Sequence, residues 1–205
     1  DAAGCTNCQR MRYESLGPAD ISGAYQAWRN TPIVEKDRFD IVTPDRRITG
    51  VTPQSSGAYF TWRASNNGFP SQLGHYRRAA YQWVRHLNGG FATNAGNHKL
   101  ATADENRLFR AEALIHLNRM AEAADLINVT RTRSHRLPDG VTYPGLPPVT
   151  AAGVPQSADC VPRTDQGACG DILVALRYER MIELVGLGPV RGWSDARGVG
   201  MLSEG

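Results

Sequence analysis

Residues 102–133 constrain the fold most. Leu108, Ala111 and Ile115 recur at i, i+3 and i+7, the spacing of one helical face. Thr102-Ala-Asp-Glu105 has the form of a capping box, in which a threonine oxygen accepts from a backbone N–H of the first turn, so a helix starts there. Asn118-Arg119 marks a turn, and Met120, Ala123, Ala124 and Ile127 line one face of a second helix. Alanine on both facing sides lets two helices approach closely. A pair of this kind leaves each helix with a second face to cover, so it needs neighbours from the rest of the chain.

A third helix is expected over 170–187, with Val174, Tyr178, Met181 and Val185 at i, i+4, i+7 and i+11, stopped by Gly186 and Gly188-Pro189. Glu179 and Glu183 share its other face and repel unless countered. Arg180, Arg191 and Arg197 are the expected counter-ions, bracing this helix against the last segment as structural salt bridges. A shorter helix is expected over Pro18–Trp28, ended by Thr31-Pro32. Residues 31–72 are rich in turns, and Ala58-Tyr-Phe-Thr-Trp62 is the best strand there, followed by a hairpin-type turn at Asn66-Asn67-Gly68. Residues 73–88 fit both a helical and an alternating pattern, and the extended or mixed form is favoured. Residues 134–169 are a Pro/Gly excursion anchored by Tyr143 and Leu146. The fold class expected is mostly α: a tetratricopeptide-like helical hairpin plus a third long helix, with long ordered loops and room for one short β-hairpin. The 205 residues suit one domain, or the C-terminal part of a larger one. Within it lie a loop-rich aromatic middle (31–101), the hairpin (102–133), the Pro/Gly loop (134–169), and a C-terminal helix and tail (170–205).

The four cysteines form two local pairs, Cys5 with Cys8 and Cys160 with Cys169. Two disulfides in an oxidising compartment are the favoured reading, with free thiols and metal or redox chemistry as weaker alternatives. Gln9 stands where a c-type haem site needs histidine. The chain begins Asp1-Ala-Ala-Gly-Cys5 without an initiator methionine, as a processed chain or a piece of a longer product would. Ala3-Gly4-Cys5 looks like the end of a lipoprotein cleavage site, although a processed lipoprotein would begin at the cysteine. No window is long and apolar enough to span a bilayer as a helix. A net charge of +3 is too small to argue for nucleic acid or an anionic membrane.

No metal-binding histidine pair, nucleophile elbow, phosphate-binding loop or dinucleotide fingerprint occurs, and no cofactor, metal site or enzymatic activity is expected. Glu179 and Glu183 have acid–base chemistry as a minor reading, because arginines crowd them. The aromatic middle leaves three readings open: core, protein interface or ligand platform. Tyr59, Trp62, Tyr76 and Trp83 are the residues for the last two.

Arg110-Ala-Glu-Ala-Leu114, the 118–119 turn, Ala121-Glu-Ala-Ala124, and then Arg131-Thr-Arg133 resemble the last tetratricopeptide-like unit of SusD/RagB-type proteins. Tyr178-Glu-Arg-Met-Ile-Glu-Leu184 with Gly188, Arg191, Trp193, Asp195 and Arg197 resembles that family's C-terminal signature. The tail is longer than the usual form, with Gly192 between arginine and tryptophan, and most of the family's N-terminal half has no counterpart. The resemblance implies a non-catalytic lipoprotein at the cell envelope of a diderm bacterium, in the periplasm or on the outer membrane. Such a protein binds a glycan or peptide nutrient and docks on a TonB-dependent transporter. The alternative is an accessory extramembrane subunit that stabilises a larger membrane complex, such as a bioenergetic or photosynthetic assembly, and binds no ligand.

Overall fold

The structure, a computed structural model, describes residues 10–64, 78–85 and 101–187. Strands β1 (Arg10–Arg12), β2 (Phe60–Trp62) and β3 (Arg78–Trp83) form an antiparallel sheet in the order β1-β3-β2. Short helices α1 (Tyr13–Leu16) and α2 (Ala24–Asn30) follow β1. The hairpin is α3 (Ala103–His116) and α4 (Met120–Arg131). A two-stranded ribbon, β4 (His135–Arg136) with β5 (Thr142–Tyr143), leads through a long loop to α5 (Ile172–Glu183).

The hairpin forms where its apolar spacing puts it. The Thr102 hydroxyl accepts from the Glu105 N–H at 3.1 Å, and Asn118 takes the left-handed conformation (φ 58°) that reverses the chain. Leu108, Ala111, Ala123 and Ile127 are fully or almost fully buried. Burying a side chain the size of Leu108 or Ile127 contributes roughly 1.5–3 kcal/mol. α5 starts at Asp171, whose carboxylate accepts from the Val174 N–H at 2.8 Å.

The mostly α, tetratricopeptide-like expectation is overturned. Among the described residues, helix accounts for 37% and strand for 15%, with five helices and two small antiparallel sheets. Residues 10–64 and 78–85 supply a sheet, not more helical hairpins. α5 packs against both α3 and α4, so it takes the face that a repeat would offer to the next hairpin. Two further elements differ from expectation. The helix expected from Pro18 breaks into a 3-10 turn (Gly17–Ala19) and α2, because Gly23 sits at φ 86° immediately before α2. α5 is shorter than 170–187 and buries Ile172, Ala175, Leu176 and Ile182 more deeply than Val174, Met181 or Val185.

The described residues form two hydrophobic cores. One joins the sheet to the N-terminal segment through Tyr13, Leu16, Ile41, Ile48, Phe60 and Tyr81. The other fills the hairpin with Leu108, Ala111, Ala123, Ile127 and the loop residues Val149, Val154 and Cys160. α5 belongs to both: Tyr178 and Ile182 enter the first, and Ile172, Ala175 and Leu176 enter the second. None of its twelve residues is exposed. Cys160 and Cys169 are disulfide-bonded, with an S–S distance of 2.03 Å. The loop they close docks on the N-terminal segment, where the Arg163 N–H donates to the Pro18 carbonyl and the Gln26 amide donates to the Thr164 carbonyl. Cys5, Cys8 and the 66–68 turn lie outside the described residues.

Candidate functional site

Asp45, Arg47, Arg131, Glu179 and Glu183, all buried, gather where the two cores meet. A tight turn after Pro44 puts Asp45 and Arg47 side by side, since the Asp45 carboxylate accepts from the backbone N–H of Arg47 at 3.0 Å. The same carboxylate accepts from Arg47 Nε at 2.9 Å and Nη2 at 2.8 Å. The guanidinium then crosses to α5. Nη1 donates to Glu179 Oε2 at 2.7 Å and to Glu183 Oε1 at 3.1 Å, and Nη2 donates to Glu179 Oε1 at 2.9 Å. Tyr178 donates its hydroxyl to Asp45 Oδ2 at 2.5 Å, and Thr130 donates to Glu179 Oε2 at 3.0 Å.

Two more arginines complete the balance. Arg85, just past β3, reaches Glu183 Oε2 at 2.7 Å and the Glu183 carbonyl at 2.8 Å. Its guanidinium lies over the Tyr59 ring, 4.0 Å from the centroid, and the Tyr59 hydroxyl donates to Glu183 Oε1 at 3.2 Å. Arg131, at the end of α4, donates to the carbonyls of Pro147 at 2.6 Å and Val161 at 2.5 Å and stands 3.6 Å from Glu179. Asp45, Glu179 and Glu183 are thus matched by Arg47, Arg85 and Arg131, and Arg133, 4.0 Å from Glu183, is balanced by Asp104 at 3.1 Å. Single ion pairs taken out of water are seldom favourable. This set is neutral as a whole, and its charges are held by several hydrogen bonds each.

The electrostatics follow from burial and neighbours. Burial alone would lower Arg47, but the Asp45 and Glu179 carboxylates outweigh it and hold the guanidinium well above its ordinary value. Burial would raise Asp45, yet Arg47 and the Tyr178 hydroxyl hold it below the usual carboxylate range. Burial, then Glu183, pushes Tyr59 up to about 12. His135 lies edge-on to Tyr59, with ring centroids 5.1 Å apart. Burial, then Arg47, lowers it to about 4.

No family model, characterised protein or solved structure matches this chain. The arrangement must therefore be read from its own chemistry. A catalytic carboxylate pair needs one member free to take or give a proton to a substrate. Here Glu179 and Glu183 each accept from arginine and from a hydroxyl, and both are buried. Among the described residues, no group of three or more histidine, cysteine, aspartate or glutamate side chains is placed to hold a metal ion. No helix among them is long and apolar enough to cross a membrane.

The residues singled out from the sequence are dispersed. Glu179 and Glu183 sit in the buried cluster. Arg180 points the other way, pairing with Glu112 of α3 and lying over the Phe109 ring at 4.5 Å. Arg191, Arg197 and Tyr76 lie outside the described residues. Tyr59 is buried on Glu183. Trp83 is buried against Gly186, at φ 82°, where a Cβ would fall 2.2 Å from the indole. Of Tyr59, Trp62 and Trp83, Trp62 is the partly exposed one. Its indole N–H donates to Asp40 Oδ1 at 3.0 Å, and the Gln54 amide donates to Asp40 Oδ2 at 2.5 Å.

Sequence reasoning missed Arg47, Arg85, Arg131 and Tyr178. One signal was available. Thr130 and Arg131 continue the buried stripe of Ala123, Ala124 and Ile127, and Glu179 and Glu183 continue that of Ile172 and Leu176. Polar residues in the core phase of both helices require partners of opposite charge.

Proposed function

We propose that this chain is a non-enzymatic binding protein of the cell envelope, of the SusD/RagB kind. In this reading it docks on a TonB-dependent outer-membrane transporter and holds a glycan or peptide nutrient on a ledge at Trp62. The observation that carries the proposal is the Trp62 indole, partly exposed and fixed by Asp40, with Gln54 on the other carboxylate oxygen. A fixed aromatic face beside a carboxylate and an amide suits stacking on a sugar ring with hydroxyls bonded at its edge. The Cys160–Cys169 disulfide agrees with an oxidising compartment outside the cytoplasm. Tyr178-Glu-Arg-Met-Ile-Glu-Leu184, the stretch that carries the family resemblance, is the stretch whose glutamates brace the molecule.

Calorimetry of the full-length protein against a panel of oligosaccharides and peptides tests the ledge. Binding in the micromolar range that is lost in Trp62→Ala, with an unchanged melting temperature, supports it. A blank panel overturns the ligand, and co-isolation with a membrane complex other than a transporter then favours the accessory-subunit reading.

A further inference from the structure

His135 has no part in the brace, and its surroundings are unusual. The residue is 8% exposed, and its Nε2 has no hydrogen-bond partner among the described residues. It opens the small β4–β5 ribbon, in which His135 pairs with Tyr143 and Arg136 with Thr142. The ribbon is bonded mainly within itself: the Asp139 carboxylate accepts from the Val141 N–H at 2.8 Å and from the Tyr143 hydroxyl at 3.1 Å, and Arg46 lies over the Tyr143 ring, 6.0 Å from its centroid. The Leu137 N–H donates to the Val141 carbonyl and the Gly140 N–H to the Leu137 carbonyl, each at 2.9 Å. Residues 138–142 are exposed, and only His135 and Leu137 are buried within the ribbon. Its base is firm, because the Leu146 N–H donates to the Arg131 carbonyl at 2.8 Å and Leu146 sits in the sheet core.

We propose that the 135–143 ribbon is an acid-released flap, latched at neutral pH by the uncharged His135 ring against Tyr59. Protonation puts a cation where Arg47, Arg85 and Arg133 already stand, with Asp45 the opposing charge and Glu183 beyond Tyr59 engaged by Arg47 and Arg85. In the lifted ribbon the imidazole is hydrated and takes its proton at the ordinary value. Acid therefore favours the open form. Lifting also bares Tyr59, the outer wall of the charged cluster.

Hydrogen exchange of the full chain, corrected for the intrinsic pH dependence of exchange, reads the latch directly. Opening of the Leu137 and Gly140 amides is expected to rise about 30-fold between pH 7.5 and 5.0, while the α4 and α5 amides hold. His135→Phe, which keeps an aromatic edge against Tyr59, is expected to abolish the pH dependence. A flat wild-type profile, an equal rise in His135→Phe, or a rise shared by α5 overturns the proposal. If His135→Phe does not fold, the wild-type imidazole NMR signal decides. It should keep its neutral position down to pH 5, and titration near pH 6.5 with the ribbon still closed overturns the flap.

Discussion

The two halves of α5 lie in different chemistry. The first half sets Ile172, Ala175 and Leu176 into the hairpin, against apolar side chains brought together by local chain reversal. The second half sets Glu179 and Glu183 among arginines drawn from residue 47, residue 85 and the end of α4. Apolar packing has no directional partner, so a changed side chain loses contact area and leaves a cavity. The ionic half is all or nothing, because a charge left without its counter-ion in the interior keeps the whole cost of its desolvation. Helix phase brings both kinds of residue to the same face. Only the ionic half requires particular partners distant in the chain.

The sharpest way to break the comparison is Arg47→Met. It removes the arginine paired with Asp45 and leaves Glu179 with Arg131 at 3.6 Å, while Glu183 keeps Arg85, and urea unfolding at pH 7 should show a loss of about 3–5 kcal/mol. That loss should shrink in acid as the Asp45 carboxyl, left without its arginine, takes a proton.

The next effect is that of pH on the intact protein. His135 is depressed to about 4 in the folded state, against about 6.5 when unfolded, so its contribution is complete above 6.5 and is lost as pH falls from 6.5 to 4. That amounts to about 2–3 kcal/mol. Asp45 is also held below its unfolded value, and its contribution is lost below about pH 4. Thermal melts from pH 8 to 3 should therefore fall in two stages, and His135→Phe should remove the first.

Replacing both Cys160 and Cys169 by serine should cost about 2–3 kcal/mol, the entropy of a short closed loop, without disturbing the brace. Thr102→Ala removes the α3 cap and should cost about 1 kcal/mol, confined to the hairpin end.

The same contrast explains what could be read from the chain. Leu108, Ala111 and Ile127 declare their helices because each contact lies within one hairpin. β1 could not be read, since Arg10-Met-Arg12 is three residues long and finds its partner in Arg78–Gln82, distant in sequence. Without a period to count, a strand of that length has no signature. The glutamates of α5 were legible as a pair that needs counter-charge. Arg47 and Arg131 were not legible as the answer, because many arginines compete and only the fold decides which come near. Arg180, the neighbour in sequence, turns instead to Glu112. Trp62 and Trp83 look alike as residues of an aromatic middle. The sheet register pairs Trp62 with Tyr81 and Phe60 with Trp83, and Trp83 is the one packed under Gly186.

The central claim is that α5 is a single pillar shared by both cores, as firm at its ionic end as at its apolar end. Native-state hydrogen exchange along α5 in low urea tests it most directly. The Ala175 and Leu184 amides should both exchange only through global unfolding, with the same free energy and the same urea dependence. Exchange of Leu184 through a local opening several kcal/mol below that of Ala175 would contradict the account.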